Sequence, residues 1–130
     1  MGEAVWRPFV VLEHRWNGVH WDLMLDTGEA LRTWAIDAPI VAGRNLPARA
    51  LADHRRVYLD YEGEISGNRG TVRRVDRGVY EIRLWMPERV RIHLAGAQLV
   101  GPAELRKTGG GEAGPIENPL AWTFRLGNFD

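Results

Sequence analysis

Val19-His-Trp-Asp-Leu-Met-Leu25, Asp26-Thr-Gly-Glu29 and Ala30-Leu-Arg-Thr-Trp-Ala-Ile36 follow one another without interruption, and their reading decides the fold. In the first run Trp21, Leu23 and Leu25 alternate with His20, Asp22 and Met24. That is the two-residue period of a β-strand, whose successive side chains leave opposite faces. The next four residues are turn formers, with Gly28 able to supply a positive φ, so an antiparallel hairpin is expected. Just upstream, Phe9-Val-Val-Leu-Glu-His14 reads as another strand.

The short-period pattern continues outward. Fifteen Gly and seven Pro cut the chain of 130 residues into short runs, the mark of an all-β sandwich or barrel. Asp37 to Asn45 reads as loop. Pro47-Ala-Arg-Ala-Leu-Ala-Asp53 is the stretch of good helix formers and predicts one or two helical turns opened by Pro47. Val57 to Tyr61 reads as strand. A meander is expected over Thr71–Val75, Val79–Trp85, Arg89–Leu94, Ala97–Val100 and Ala103–Arg106, divided at Asp76–Gly78, Met86–Glu88, Ala95–Gly96 and Gly101–Pro102. Residues 108–118, rich in Gly, read as a flexible loop before a last strand, Ala121–Leu126. The expected fold class is mostly β: a single domain spanning 1–130, a small antiparallel β-barrel with one short surface helix.

Composition narrows the function. Without Cys, there can be no disulfide, zinc ribbon, iron–sulfur cluster or thiol nucleophile. No apolar run approaches the ~20 residues that span a bilayer, and a soluble, cytoplasmic monomer is expected. Seventeen basic residues balance seventeen acidic ones, unlike domains that coat nucleic acid by bulk charge. Any nucleic acid would be met locally.

His20 and Asp22 share the polar face of their strand, and an antiparallel return would set His14 opposite them. Two imidazoles and a carboxylate suit Mn²⁺, Fe²⁺ or Zn²⁺. Scattered surface His and Asp would produce the same string without a metal. His54 and Tyr58, four apart, form a donor pair able to steady phosphate oxygens, with Arg55 and Arg56 adjoining; a helix-end His beside packing aromatics is the alternative. His93, between Ile92 and Leu94, reads as a surface or satisfied histidine. Trp21, Trp34, Trp85 and Trp122 read as core, whereas Trp16, in the turn between His14 and His20, is the aromatic placed for base stacking.

These blocks, in this order, make the chain resemble the 3′-phosphoesterase domain family of DNA ligase D, the nuclease-like module of non-homologous end joining. The resemblance rests on Phe9-Val-Val with His14, His20 and Asp22, Trp34-Ala35, Asp53-His54 with Tyr58, Tyr61-Glu62-Gly63, and Gly70-Thr-Val72 with Asp76 and Gly78. It covers about residues 7 to 106. It implies a small antiparallel barrel and Mn²⁺-dependent removal of a 3′-terminal ribonucleoside and then of the 3′-phosphate. By the resemblance, His14, His20 and Asp22 are the metal ligands, and His54 with Tyr58 are the catalytic pair at the phosphate. The expected ligand is Mn²⁺, with Zn²⁺ or another transition metal as alternatives. Expected partners are DNA or RNA-tipped DNA 3′ ends and separate ligase and polymerase proteins.

The chain departs from the family pattern at four positions. Met24 stands where the family usually has Arg, Ala38 near its usual Lys, Leu12 for Gln and Ala52 for Glu, and the connection Ile65–Gly70 is shortened. Arg32, Arg56, Arg69 and Arg73 are the candidates to replace the lost charge at the phosphate, since a guanidinium reaches far. The chain reads as a divergent, stand-alone member. Two alternatives to the enzyme are a binding module that grips a nucleic-acid end through the metal without turnover, and a small-molecule phosphoesterase.

Overall fold

The computed structural model describes residues 4–108 and 121–127. The 108–118 segment expected to be a flexible loop lies, apart from Thr108, outside the described residues. Nine strands are found among them: β1 (Trp6–Arg15), β2 (Val19–Asp26), β3 (Leu31–Ile36), β4 (Leu46–Ala50), β5 (Gly63–Glu64), β6 (Thr71–Met86), β7 (Arg89–Gly96), β8 (Val100–Lys107) and β9 (Ala121–Leu126). All pairings are antiparallel, in the order β1-β2-β3-β4-β9-β8-β7-β6, and β6 returns to pair with β1. Eight strands therefore close a barrel, and the two-residue β5 hangs beside the start of β6. Closure satisfies the backbone groups that an open sheet edge would expose.

Period-two alternation fills the inside. Phe9 and Val11, Leu23 and Leu25, Trp34 and Ile36, Ile92 and Leu94, and Trp122 and Phe124 all belong to one buried cluster. The residues between them on β1 and β2 form a second cluster on the outer face, where Val10, Leu12 and Met24 pack with Leu31 and Val72 under Tyr58, Leu59, Tyr61 and Ile65. A barrel exterior would normally be wet, but here the chain from 51 to 70 folds back over it. Arg56 pins that cover by donating from Nε (3.0 Å) and Nη2 (2.9 Å) to Asp26. Burial alone would raise the Asp26 pKa, but the Arg56 guanidinium and the Gly28 N–H hold it below the usual carboxylate value.

The structure corrects four sequence expectations. The helix expected over 47–53 does not form: Leu46–Ala50 is β4, paired with β3 and β9. Leu46 and Ala48 point into the barrel core, and that burial outweighs the modest helix preference of Ala and Arg. The only helical turn among the described residues is a 3-10 turn at Arg56–Leu59, where a strand had been expected. The turn expected at Asp76–Gly78 is instead the middle of a continuous β6 that changes partner from β1 to β7. Gly78 packs against the Ala95 carbonyl with no room for a Cβ, while Asp76 accepts the N–H groups of Gln98 (3.2 Å) and Leu99 (2.8 Å). Gly101 and Pro102 likewise lie within β8, not between strands.

Leu12→Ala removes a fully buried side chain from the outer cluster and is expected to cost ~2–5 kcal/mol in urea unfolding. It should also speed hydrogen exchange at Tyr58 and Asp60, whose amides bond Arg55 and Val57. Phe124→Ala, inside the barrel, should cost as much without that local loosening.

Candidate metal centre

The β1–β2 register sets His14 opposite His20 and Leu12 opposite Asp22. Side chains facing one another across an antiparallel pair start ~4.5–5.5 Å apart at Cβ, so the polar residues at this end of the outer face must meet. The two imidazoles lie edge to face with ring centres 4.8 Å apart. His20 Nδ1 is 2.7 Å from Asp22 Oδ1, and His14 Nδ1 is 3.7 Å from Asp22 Oδ2. Asp22 is 2% exposed. A buried carboxylate is costly without partners. Burial pushes its pKa up, yet the His14 and His20 contacts bring it below the ordinary value. Asp22 in turn raises the pKa of His14, against the effect of burial.

His14 Nε2 lies 2.9 Å from the Arg69 carbonyl. A carbonyl only accepts, so Nε2–H donates and Nδ1 is the nitrogen left facing Asp22. Metal-binding imidazoles are commonly oriented by such a bond from the other ring nitrogen. One ligand atom from each of His14, His20 and Asp22 can be chosen so that all lie within 4.8 Å of one another. Two imidazole nitrogens, one carboxylate oxygen and no thiolate fit a borderline divalent transition metal, with further coordination positions left for water or substrate oxygen.

The same corner opens into a cavity of about 310 Å³ that His54 and Tyr58 also line. His54 is held by reciprocal backbone bonds with Leu31, N–H to carbonyl in both directions (2.8 and 2.9 Å). Its Nδ1 donates to the Ala52 carbonyl at 2.9 Å, leaving Nε2 as the unengaged ring nitrogen. Tyr58 meets His54 edge to face at 5.8 Å and Tyr61 at 5.8 Å. Met24, Leu51, Ile65 and Val72 supply the apolar wall.

The structure sorts the candidate arginines. Arg69 borders the cavity. Arg32 does not: its guanidinium sits 4.2 Å over Trp34 and 5.9 Å from Trp122. Arg56 is the Asp26 anchor already described, and Arg73 reaches Glu13 at 3.4 Å. A cation that sequence reasoning missed is Arg49, which borders the cavity from β4, opposite Ala35, and pairs with Asp37 at 3.1 Å. Its signal was the alternation Leu46, Ala48, Ala50 against Pro47, Arg49, Leu51, hidden while the segment was read as helix.

The family model for the DNA ligase D 3′-phosphoesterase domain matches residues 12–107. The chain belongs to that family. The match runs from two residues before His14 to the end of β8, so every residue of the metal corner and its cover falls within it. No curated protein matches the sequence. Among the described residues, no helix of this phosphoesterase-family domain is long and apolar enough to cross a membrane.

In the metal-free domain, the raised His14 pKa means that the folded state favours the protonated ring. The resulting stability is full below the ordinary value of 6.5 and is lost as pH rises through the folded value. In chelator, the urea-unfolding advantage of wild type over His14→Gln is therefore expected to shrink from about pH 6 to about pH 8. A difference that does not vary with pH would contradict the assigned contact.

Proposed function

We propose that the domain is a metal-dependent phosphoesterase that acts on 3′ ends of nucleic acid, releasing a terminal phosphate or ribonucleoside during DNA end repair. One observation carries this reading: a single cavity brings His14, His20 and Asp22 together with His54 and Tyr58. Mn²⁺ is the proposed metal, held by His14, His20 and Asp22. When bound there, it supplies a Lewis acid for a phosphate oxygen and lowers the pKa of bound water.

The chain's own residues do the rest. His54 presents Nε2 to the phosphate; protonated there, it donates to a nonbridging oxygen or to the departing 3′ oxygen. Tyr58 orients the phosphate through its hydroxyl. Arg69 and Arg49 lend positive charge where the phosphoryl group becomes more negative, in place of the cation lost at Met24. The apolar wall excludes bulk water and strengthens these contacts. For a terminal phosphate, the bond from water oxygen to phosphorus forms and the bond from phosphorus to the 3′ oxygen breaks. The products are inorganic phosphate and a 3′-OH ready for ligation, the substrate that separate ligase and polymerase proteins of the cytoplasm would use.

A second reading is favoured by Met24, which lies 1% exposed in the outer cluster and forms cavity wall where a cation would grip phosphate. On that reading the domain binds ends through the metal without turning them over.

Phosphate release from a 3′-phosphate-terminated primer with Mn²⁺ decides between them. Wild type is expected to be active, chelator to abolish turnover, and His54→Ala to lower kcat by ~10²–10⁴-fold. No activity above a His20→Ala control anywhere between about pH 6 and 8 would overturn the enzyme reading. Metal-dependent binding without cleavage, together with hydrolysis gained in Met24→Arg, would establish the binding module. Equal competition by free nucleotides would point instead to a small-molecule substrate.

A further inference from the structure

Five of the six Trp side chains pack away from the metal corner. Trp34 and Trp122 are buried 5.6 Å apart in the barrel, and Trp85 meets Trp34 edge-on at 6.4 Å. Trp21 packs against the barrel core, and Trp6 lies against His93. Trp16 belongs to neither core cluster. It is 45% exposed and borders the cavity that holds the metal corner. Trp6 and Trp85 are about as open, at 43% and 39%, but of the six only Trp16 borders the cavity, and its position beside the reactive groups asks for an account.

The backbone fixes where that indole stands. Trp16 opens the reversal between β1 and β2, donating its N–H to the Gly18 carbonyl at 2.9 Å. Asn17 and Gly18 take positive φ of 54° and 115°. The 65–70 connection braces the turn from behind: Gly70, at φ 82°, comes so close that a Cβ there would overlap the Arg15 carbonyl and lie 2.7 Å from Trp16 Cβ. In front, the indole lies nearly parallel to the His14 ring, 21° between planes and 6.2 Å between centres. A flat, rigid, half-open aromatic thus stands one ring's step from the metal corner. In a nucleotide, a single ribose separates the base from the 3′ oxygen, a span of the same order.

We propose that Trp16 is a stacking shelf for the base of the terminal nucleotide, forming a base-binding subsite beside the metal corner. The inference rests on the 3′-end reading above and deepens it: the domain selects ends that carry a base. An indole face offers stacking and no hydrogen-bond pattern to read, so all four bases are accepted. Stacking on the shelf also positions the 3′ phosphate over His14 and His20, and gives a neutral domain a grip that depends little on salt.

The test compares two 3′-phosphate oligonucleotides, identical except that the terminal residue of one is abasic, bound with Mn²⁺ and read by fluorescence anisotropy. Wild type is expected to hold the base-bearing end about tenfold more tightly. Trp16→Ala should collapse that ratio to near one, and Trp16→Phe should restore most of it. A wild-type ratio near one would overturn the shelf. So would an unchanged ratio in Trp16→Ala, including one reached by equal weakening of both ends, which would mean that Trp16 acts through His14. A tenfold ratio without phosphate release would overturn the phosphatase reading alone. Release without base preference would overturn the shelf alone.

Discussion

The antiparallel register that sets Leu12 against Asp22 and His14 against His20 is the constraint from which the site follows. Period-two alternation leaves no intermediate choice: a slip of one residue would send His20 and Asp22 into the barrel and Leu23 and Leu25 onto its outer face. The buried Leu, Val and Phe on one face of β1 and β2 therefore determine, by exclusion, where the imidazoles and the carboxylate stand. The turn at Trp16–Gly18 locks that register from one end. Pairing of β1 with β6, where His14 faces Val72, locks it from the side.

A site on the outside of a barrel needs walls that the barrel cannot supply. Here the wall is the second apolar cluster, which draws the 51–70 stretch over β1, β2 and the start of β6. Its fastenings include an ion pair, Arg56 on the buried Asp26, and the reciprocal backbone pair of His54 with Leu31. Met24 belongs to this cluster and lines the cavity, so apolar packing claims that stretch of the wall. Positive charge reaches the cavity from Arg49 and Arg69, on segments that belong to the barrel wall and to the cover.

The barrel strands were legible because Phe9–His14, Val19–Leu25 and Arg89–Leu94 carry uninterrupted alternation, and the meeting of His14, His20 and Asp22 was legible because a strand's two-residue period fixes which side chains share a face. What remained hidden had a nonlocal cause. Pro47–Asp53 has the composition of a helix, and only pairing with β3 and β9 makes it a strand. Asp76–Gly78 has the composition of a turn, but Asp76 caps a neighbouring loop while Gly78 lets β7 approach. Val57–Tyr61 has strand-like residues, yet its apolar side chains cover another surface, a task suited to a tight turn. Arg32 and Arg56 looked like free cations in the sequence, but indole faces and a buried carboxylate claim them.

Sixteen residues of β6 serve two neighbours, β1 along its first part and β7 along its last. The β6–β7 and β7–β8 hairpins join residues close in sequence, whereas the β1–β6 seam joins Trp6 with Glu81 and the β4–β9 seam joins Leu46 with Phe124. The entropy of gathering such long loops sets these two seams apart from the local hairpins as the costly steps of assembly. His14 and its Arg69 carbonyl lie on the two sides of the β1–β6 seam, so the chain cannot display an oriented His14 before that seam has closed. A chain in which β1 and β6 have not yet met thus lacks the bond that orients His14.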